Sequence, residues 1–264
     1  MDNPMPPVDP FEGSRPLNQN QLEAFAKRVL KSLDSHPQNP SSLNLGSITD
    51  WLYAHVISPV PFSFEETLCF LEETGVSSSE IIDVCIPEAA CRAGQAWVDD
   101  EASFANVTLA SSRLYAICKA LSETWEMRPR RTGQPTILVV IAPGEQHMIG
   151  SVVAASQLRR MGCSVQLLGG ATPKEAIACI KRGAFDAVLI SCAGSQALDN
   201  AVHFITRIRS EIDQPPRLVI GGAIEKQVKL TSVSTGADLV TSDFEVALAG
   251  LTNARSSTEP LAAQ

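Results

Sequence analysis

The stretch ILVVIA at residues 137–142 is an uninterrupted apolar run with the length of a β-strand. A strand without polar alternation is buried on both faces, as strands of parallel sheets are. Similar apolar runs follow along the chain at 165–168, 187–191, 218–222 and 238–241. Amphipathic helical patterns lie between them at 147–161, 173–182 and 196–210. The alternation of strands and helices predicts a doubly wound parallel α/β domain over residues 136–254.

Residues 20–125, which precede this domain, show helical periodicity only and predict a bundle of four or five helices. The first helix is expected at 22–33. The later helices are expected to start at the N-cap residues Ser47, Ser63, and Ser78 or Ser79. Gly75 is expected to end the helix that Ser63 starts, and Pro87 to kink or break the next one. The last helix is expected to bury one stripe of apolar residues: Phe104, Val107, Leu114, Ile117, Cys118 and Leu121.

Three segments have the composition of connecting or terminal chain. Residues 1–19 are rich in proline and polar residues and predict a disordered arm. Residues 126–135 are polar, basic and interrupted by Pro and Gly, which predicts the linker between bundle and sheet domain. Residues 255–264 are expected to form a flexible tail.

Charge and cysteine content narrow the functional class. The formal net charge of −8 argues against a general nucleic-acid-binding protein, because a protein that binds the phosphate backbone needs clustered Lys and Arg. No apolar run has the length of a membrane span, and the N-terminus lacks the pattern of a signal peptide. The seven cysteines include no CxxC pair, so we interpret them as small buried hydrophobic residues in the reducing cytoplasm, with a redox-sensing role for one of them as the alternative.

Candidate site residues follow the predicted strands at their carboxyl ends, which share one edge of a parallel sheet. The set comprises Glu145, His147 and Gly150 after the first strand, Ser191 at the end of the third, and Gly221 and Gly222 at the end of the fourth. Glycines at such an edge let a ligand approach the backbone, and a hydroxyl can bond its heteroatoms. Gly169 and Thr172, after the second strand, are counted with the site, although Thr172 also fits a helix N-cap.

These motifs resemble the cobalamin-binding domain shared by methionine synthase, corrinoid methyl-transfer proteins, cobalamin mutases and cobalamin photoreceptors. That family carries Asp-x-His-x-x-Gly, then Ser-x-Leu, then Gly-Gly. The corresponding motifs here are Glu145-x-His147-x-x-Gly150, Ser191-x-Ala193 and Gly221-Gly222. Glu145 in place of Asp adds a methylene to the carboxylate arm, and Ala193 in place of Leu opens the pocket wall.

The resemblance implies a flavodoxin-like fold that binds cobalamin in its adenosyl, methyl or hydroxo/aquo form. It implies His147 as the lower axial ligand to cobalt, with the nucleotide tail of the vitamin displaced into a slot of the α/β domain. Gly150 would leave room for this tail, and Ser191 would hydrogen-bond the benzimidazole. Gly221 and Gly222 would line the slot. Glu145 would accept a hydrogen bond from the ring of His147, as carboxylates beside metal-bound histidines do.

The helical bundle resembles the cap of the cobalamin photoreceptors, in which a Trp lies over the upper ligand and a Glu-His pair follows about ten residues later. Trp97, in the stretch 87–101, matches this Trp and is assigned to the cofactor site. Val107 and Thr108 stand where the Glu-His pair would be, so the resemblance assigns no second protein ligand to cobalt.

The arm, the cap with Trp97 and the variant domain together resemble the AerR/PpaA group of purple photosynthetic bacteria. That resemblance implies a light-responsive transcriptional antirepressor rather than an enzyme. It would act through a repressor protein of the PpsR/CrtJ type and reach DNA only through this partner, with no membrane involved. The alternative is a corrinoid methyl carrier that serves a methyltransferase. A mutase subunit is disfavoured, because the chain has no barrel to hold a substrate.

Overall fold

The computed structural model describes residues 44–59, 61–126, 133–141, 145, 148–224 and 232–256. The chain divides into two compact units, Met1–Leu114 and Tyr115–Gln264. The predicted arm at 1–19 and the predicted helix at 22–33 lie outside the described residues, as do residues 127–132 of the predicted linker and the predicted tail beyond Ser256.

The described part of the N-terminal unit consists of helices and their connections, as predicted. The helices are α1 (Leu45–Ile57), α2 (Phe64–Glu73), α3 (Ser78–Glu80), a π-helix (Ile81–Cys85), α4 (Ile86–Val98) and the beginning of α5 (Phe104–Glu126). Ile48, Leu52 and Val56 of α1 are fully buried in the core of this unit. The Trp51 ring stacks on Phe70 of α2, with 3.9 Å between the ring centroids.

Two of the predicted helix caps are corrected. The side chain of Asn44, and not Ser47, caps α1 by accepting a hydrogen bond of 2.9 Å from the Ser47 backbone N–H. Ser77, and not Ser78 or Ser79, caps α3 and forms a reciprocal capping box with Glu80. In both cases the N-cap lies one to three residues earlier than predicted. Ser63 caps α2 as predicted.

Pro87 does not break its helix. A proline inside a helix lacks an N–H group, and its ring collides with the carbonyl group four residues earlier. The chain widens into the π-helix Ile81–Cys85 immediately before the proline, and the N–H of Ile86 bonds to the carbonyl of Ile81. The wider turn accommodates Pro87, so helical conformation continues from Ser78 to Val98.

The apolar stripe predicted for the last helix is buried only in its later part. Leu114, Ile117 and Cys118 are fully buried, whereas Phe104 in the first turn of α5 is 64% exposed. The expected burial of Phe104 is therefore wrong. Its ring lies edge-on against Trp97 instead, with 6.2 Å between the ring centroids.

The C-terminal unit is built on a five-stranded sheet with the order β2-β1-β3-β4-β5, in which all paired strands are parallel. The strands are β1 (Thr136–Ile141), β2 (Ser164–Leu168), β3 (Ala187–Ser191), β4 (Arg217–Gly221) and β5 (Leu239–Val240). The helices of this unit are α6 (Met148–Arg160), α7 (Pro173–Arg182), α8 (Ser195–Glu211), α9 (Ser232–Thr235) and α10 (Phe244–Ser256). This strand order is that of flavodoxin-like folds, which confirms the predicted fold class.

Each face of the sheet carries its own core, because alternate residues of a strand point to opposite faces. Leu138 and Val140 of β1 belong to the cluster that contains Phe204 of α8, whereas Ile137 and Val139 belong to the cluster on the other face. All residues of β1 are buried. Burial on both faces explains the uninterrupted apolar run, and each such side chain contributes roughly 1.5–3 kcal/mol.

Helix α5 belongs to both units, because the division falls between Leu114 and Tyr115. On the sheet side, the Ser122 hydroxyl donates a hydrogen bond of 3.3 Å to the Ser156 hydroxyl of α6. The end of α5 therefore packs with the sheet unit, although the sequence assigns the chain up to residue 125 to the bundle. No helix in the described ranges is both long and apolar enough to cross a membrane.

Candidate functional site

The carboxyl ends of β1, β3 and β4 lie side by side and bring several predicted site residues together. In the sheet register Ile141 pairs with Ser191, and Ser191 pairs with Gly221. The strand order reverses at β1 and β3, and ligands of doubly wound sheets bind in the crevice at this point. Ser191 thus occupies the centre of the edge where a ligand is expected.

Glu145 links the loop after β1 to the loop after β3. Its Oε2 atom accepts a hydrogen bond of 2.7 Å from the backbone N–H of Ala193. A bond between a carboxylate and a backbone N–H is charge-assisted and therefore among the stronger hydrogen bonds. His147, predicted to bind the metal, lies outside the described residues together with 142–144 and Gln146. Glu145, two positions from His147, is held next to the Ser191 motif.

Gly221 and Gly222 are required by the packing of the backbone itself. A Cβ atom on Gly221 would lie 2.7 Å from the carbonyl oxygen of Thr241, and one on Gly222 would lie 2.4 Å from that of Cys192. Gly222 also has a φ angle of +109°, which L side chains rarely adopt. The structure thus explains both glycines without a ligand, and their contact with cobalamin stays a prediction.

Gly150 has different surroundings from the paired glycines. It lies in the first turn of α6, is exposed, and a Cβ atom placed on it would meet no atom within 4 Å. The Ser191 side chain is half-buried and makes no hydrogen bond with any described residue. Open space at Gly150 and an unengaged hydroxyl at Ser191 are features that a polar group entering this edge can use.

The residues after β2 serve the protein's own structure. Gly169 packs closely against the end of β1, since a Cβ atom there would lie 3.1 Å from Ile141 Cδ1 and 3.5 Å from Met148 Cε of α6. The Thr172 hydroxyl accepts a hydrogen bond from the Glu175 backbone N–H and donates one of 2.7 Å to the Glu175 carboxylate. The backbone N–H of Thr172 also donates to this carboxylate, and these bonds lower the pKa of Glu175. The alternative reading of Thr172 as a helix cap is confirmed.

Trp97 lies at the end of α4 in the helical unit and is 52% exposed. Val98 next to it and Phe104 across the turn are also exposed, at 68% and 64%. The Trp97 and Phe104 rings meet edge to face, with an interplanar angle of 63°. Three large apolar side chains therefore form an exposed patch, which we call the Trp97 patch.

Two residues at this edge, Cys192 and Ser151, were not predicted from the sequence. Burial raises the pKa of the Cys192 thiol to about 12, and the nearby charge of Glu145 adds to this effect. Cys192, inside the Ser-x-Ala motif, therefore stays a neutral core thiol. Ser151, which follows Gly150, is fully buried, and its hydroxyl bonds to no residue in the described part of the chain. The only signal for Ser151 in the sequence is a polar residue on the apolar face of a predicted helix.

Comparison with known proteins agrees with this geometry. The family model described as "B12 binding domain" matches residues 135–252. A Rhodobacter capsulatus protein, described as an uncharacterized 20.5 kDa protein in the bchF-crtJ intergenic region, is 34% identical over 165 residues, which are 62% of this chain and 85% of that protein. The monomethylamine corrinoid protein of Methanosarcina barkeri has the same fold, with a TM-score of 0.62 and 15% identity over 79% of this chain and 99% of its own.

The residues at the carboxyl edge of the sheet fit cobalamin. The open space beside Gly150 and the Ser191 hydroxyl, which bonds to no described residue, are compatible with a polar ligand group at this edge. The two departures from the family motif leave this edge intact, because Glu145 reaches the Ala193 backbone and the side chain of Ala193 is small. The chain therefore belongs to the B12-binding domain family, with residues 135–252 as its cobalamin-binding domain.

Proposed function

We propose that this protein is a light-responsive transcriptional antirepressor that binds cobalamin and acts through a repressor of the PpsR/CrtJ type. The observation that carries the proposal is the Trp97 patch on the helical unit. Clusters of large apolar side chains on a protein surface usually mark a site where a ligand or another protein binds. Trp97 stands at the sequence position where cobalamin photoreceptors place a Trp over the upper ligand of cobalt.

The proposal assigns a defined task to each residue of the site. Cobalamin, when bound, supplies a cobalt–carbon bond that visible light breaks. His147 would hold the cobalt from below, and Glu145 would orient its ring through Oε1 while Oε2 stays on the Ala193 N–H. Trp97 would contact the bound cobalamin from the helical unit, and light would alter this contact. The helical unit could then change its packing, which a partner protein would read.

The genomic position of the Rhodobacter capsulatus relative supports the choice of partner, because that protein is encoded between bchF and crtJ. The net charge of −8 argues against direct binding to DNA phosphates. A protein partner that itself binds DNA is consistent with both observations.

A methyl carrier is the second candidate. The fold shared with the monomethylamine corrinoid protein covers 79% of this chain and fits a methyl carrier equally well. In that case Trp97 would cover the methyl group, and a methyltransferase would take the place of the repressor. The two functions differ in their response to light.

The test compares cobalamin-loaded protein in the dark and after illumination. Under the antirepressor proposal, the absorption spectrum of the adenosyl or methyl form changes on illumination, and the effect of the protein on repressor–DNA complexes changes with it. Trp97→Ala should alter the rate of photolysis, while Val233→Ala, which removes a 96% exposed apolar side chain in the sheet unit, should not. His147→Ala should lose the spectral features of the lower ligand.

Other results would contradict the antirepressor proposal. A protein whose repressor-linked effect is the same in the dark and in the light is not a light-responsive antirepressor. Transfer of the methyl group to a thiol acceptor when a methyltransferase is added would establish the carrier instead. The isolated protein should also fail to shift DNA across a range of salt concentrations.

A further inference from the structure

Ser151 carries a buried hydroxyl that the protein itself does not use. The residue is fully buried, and its Oγ atom has no hydrogen-bond partner among the described residues. Buried hydroxyls are almost always hydrogen-bonded in native proteins, because an unpaired one destabilises the fold. Hydroxyls within a helix commonly bond to the carbonyl four residues earlier, as Ser122 does with Cys118 at 2.7 Å. No described residue provides a partner of this kind for Ser151.

The position of Ser151 directs its hydroxyl toward the sheet. Ala155 and Leu158, four and seven residues further along α6, lie on the same face of the helix and are fully buried. Leu158 packs in the core cluster with Ile137 and Val139 of β1. Ser151 is therefore on the sheet-facing side of α6, at the end of the helix that adjoins the carboxyl edge of β1.

The neighbours of Ser151 lie at the carboxyl edge of the sheet. Gly150 precedes it and has open space beside its backbone. The Met148 side chain, one turn earlier, lies near Gly169, which packs against Ile141 at the end of β1. The helix start, the strand end and the loop after β2 thus meet beside the first turn of α6, which contains Ser151.

We propose that Ser151 hydrogen-bonds the nucleotide tail of cobalamin and makes the site prefer corrinoids that carry this tail. The inference depends on cobalamin binding by residues 135–252 and is independent of the choice between regulator and methyl carrier. Because Ser151 is fully buried, the start of α6 and the sheet edge have to separate when the tail enters from the side of Gly150. The tail then supplies the hydrogen-bond partner that the hydroxyl lacks.

The test measures dissociation constants by absorption titration of the full chain with cobalamin and with cobinamide, which lacks the nucleotide. We expect Ser151→Ala to weaken cobalamin binding roughly five- to tenfold, as loss of one hydrogen bond does, and to leave cobinamide binding unchanged. The variant should also raise the melting temperature of the cobalamin-free protein, because the unpaired hydroxyl is gone. Ser156→Ala is the matched control, since Ser156 is buried in the same helix but is hydrogen-bonded to Ser122.

Cobalamin binding by Ser151→Ala that is as tight as in the unchanged protein overturns the inference. An equal loss of cobalamin and cobinamide affinity also overturns it, because the residue would then act on the corrin or on the fold. Ser151→Cys keeps the side-chain volume with a weaker hydrogen-bonding group and should reproduce the selective loss. A corrinoid that carries adenine in place of benzimidazole distinguishes the two parts of the tail. If Ser151 contacts the ribose phosphate, Ser151→Ala should weaken the binding of this corrinoid as much as that of cobalamin. If Ser151 contacts the base, the two losses of affinity should differ. An unchanged protein that binds neither corrinoid would contradict the family assignment itself.

Discussion

Gly150 has open space beside its backbone. A methyl group at this position of α6 would contact no protein atom within 4 Å. We therefore expect Gly150→Ala to raise the stability of the cobalamin-free protein by roughly 0.5–1 kcal/mol, because alanine is the better helix former. The same methyl group would occupy the space that we propose for the cobalamin tail and weaken cobalamin binding, by roughly five- to 150-fold at the usual cost of overpacking. Urea unfolding and absorption titration of one variant measure the two opposite effects.

Gly222 is the contrasting case at the same edge of the sheet. Its φ angle is +109°, and a Cβ atom would lie 2.4 Å from the carbonyl oxygen of Cys192. We expect Gly222→Ala to lower the free energy of unfolding by roughly 2–4 kcal/mol even without cobalamin, because backbone strain and the collision act together. Chemical denaturation measures this loss. A stable Gly222→Ala protein with impaired cobalamin binding would instead mean that the glycine serves the ligand alone.

At the scale of elements, Thr172 and Glu175 fix the start of α7. We expect Thr172→Ala to lower the free energy of unfolding by about 1 kcal/mol, since it removes the N-cap side chain, while Thr172→Ser should retain most of it. The pKa of Glu175 is lowered in the folded protein. Its ionised carboxylate therefore stabilises the fold at pH values above the unfolded-state pKa, which is near 4.3. This contribution is lost as the pH falls through the lower folded pKa. Urea unfolding of the protein and both variants at pH 7 and at pH 3 measures the cap and its pH dependence.

The central strands of the sheet domain are predictable from the sequence because they are buried on both faces. The run at 137–142 appears as Thr136–Ile141, and the run at 187–191 matches β3 without change. Helix starts are less predictable, because neighbouring polar residues compete as caps; Asn44 was missed for this reason. The widening of the helix before Pro87 depends on a hydrogen bond across five residues, which no periodicity reveals.

The site shows the same division between what sequence and geometry can tell. The order of motifs placed Ser191 and Gly221 on one edge, where the sheet register pairs them. The sequence could not show that Glu145 is bonded to the Ala193 N–H, since that bond joins residues of two separate loops. Nor could it show that Ser151 lacks a partner, because only packing decides which hydroxyls are satisfied.

At the scale of the whole molecule, cobalamin binding must raise the free energy of unfolding of the sheet domain. A ligand that binds only the folded state stabilises it by about 2.7 kcal/mol at a concentration one hundred times its dissociation constant. We therefore expect amides of β1 and β3 to exchange more slowly with cobalamin present, by about 1.4 kcal/mol in exchange free energy for each tenfold rise in its concentration. Hydrogen exchange measured by mass spectrometry on the full chain follows these strands directly. His147→Ala should need a higher cobalamin concentration for the same protection, whereas Val233→Ala should behave as the unchanged protein does. Protection that does not grow with cobalamin concentration would show that the vitamin does not bind the native sheet domain selectively, and the role assigned to its carboxyl edge would then be wrong.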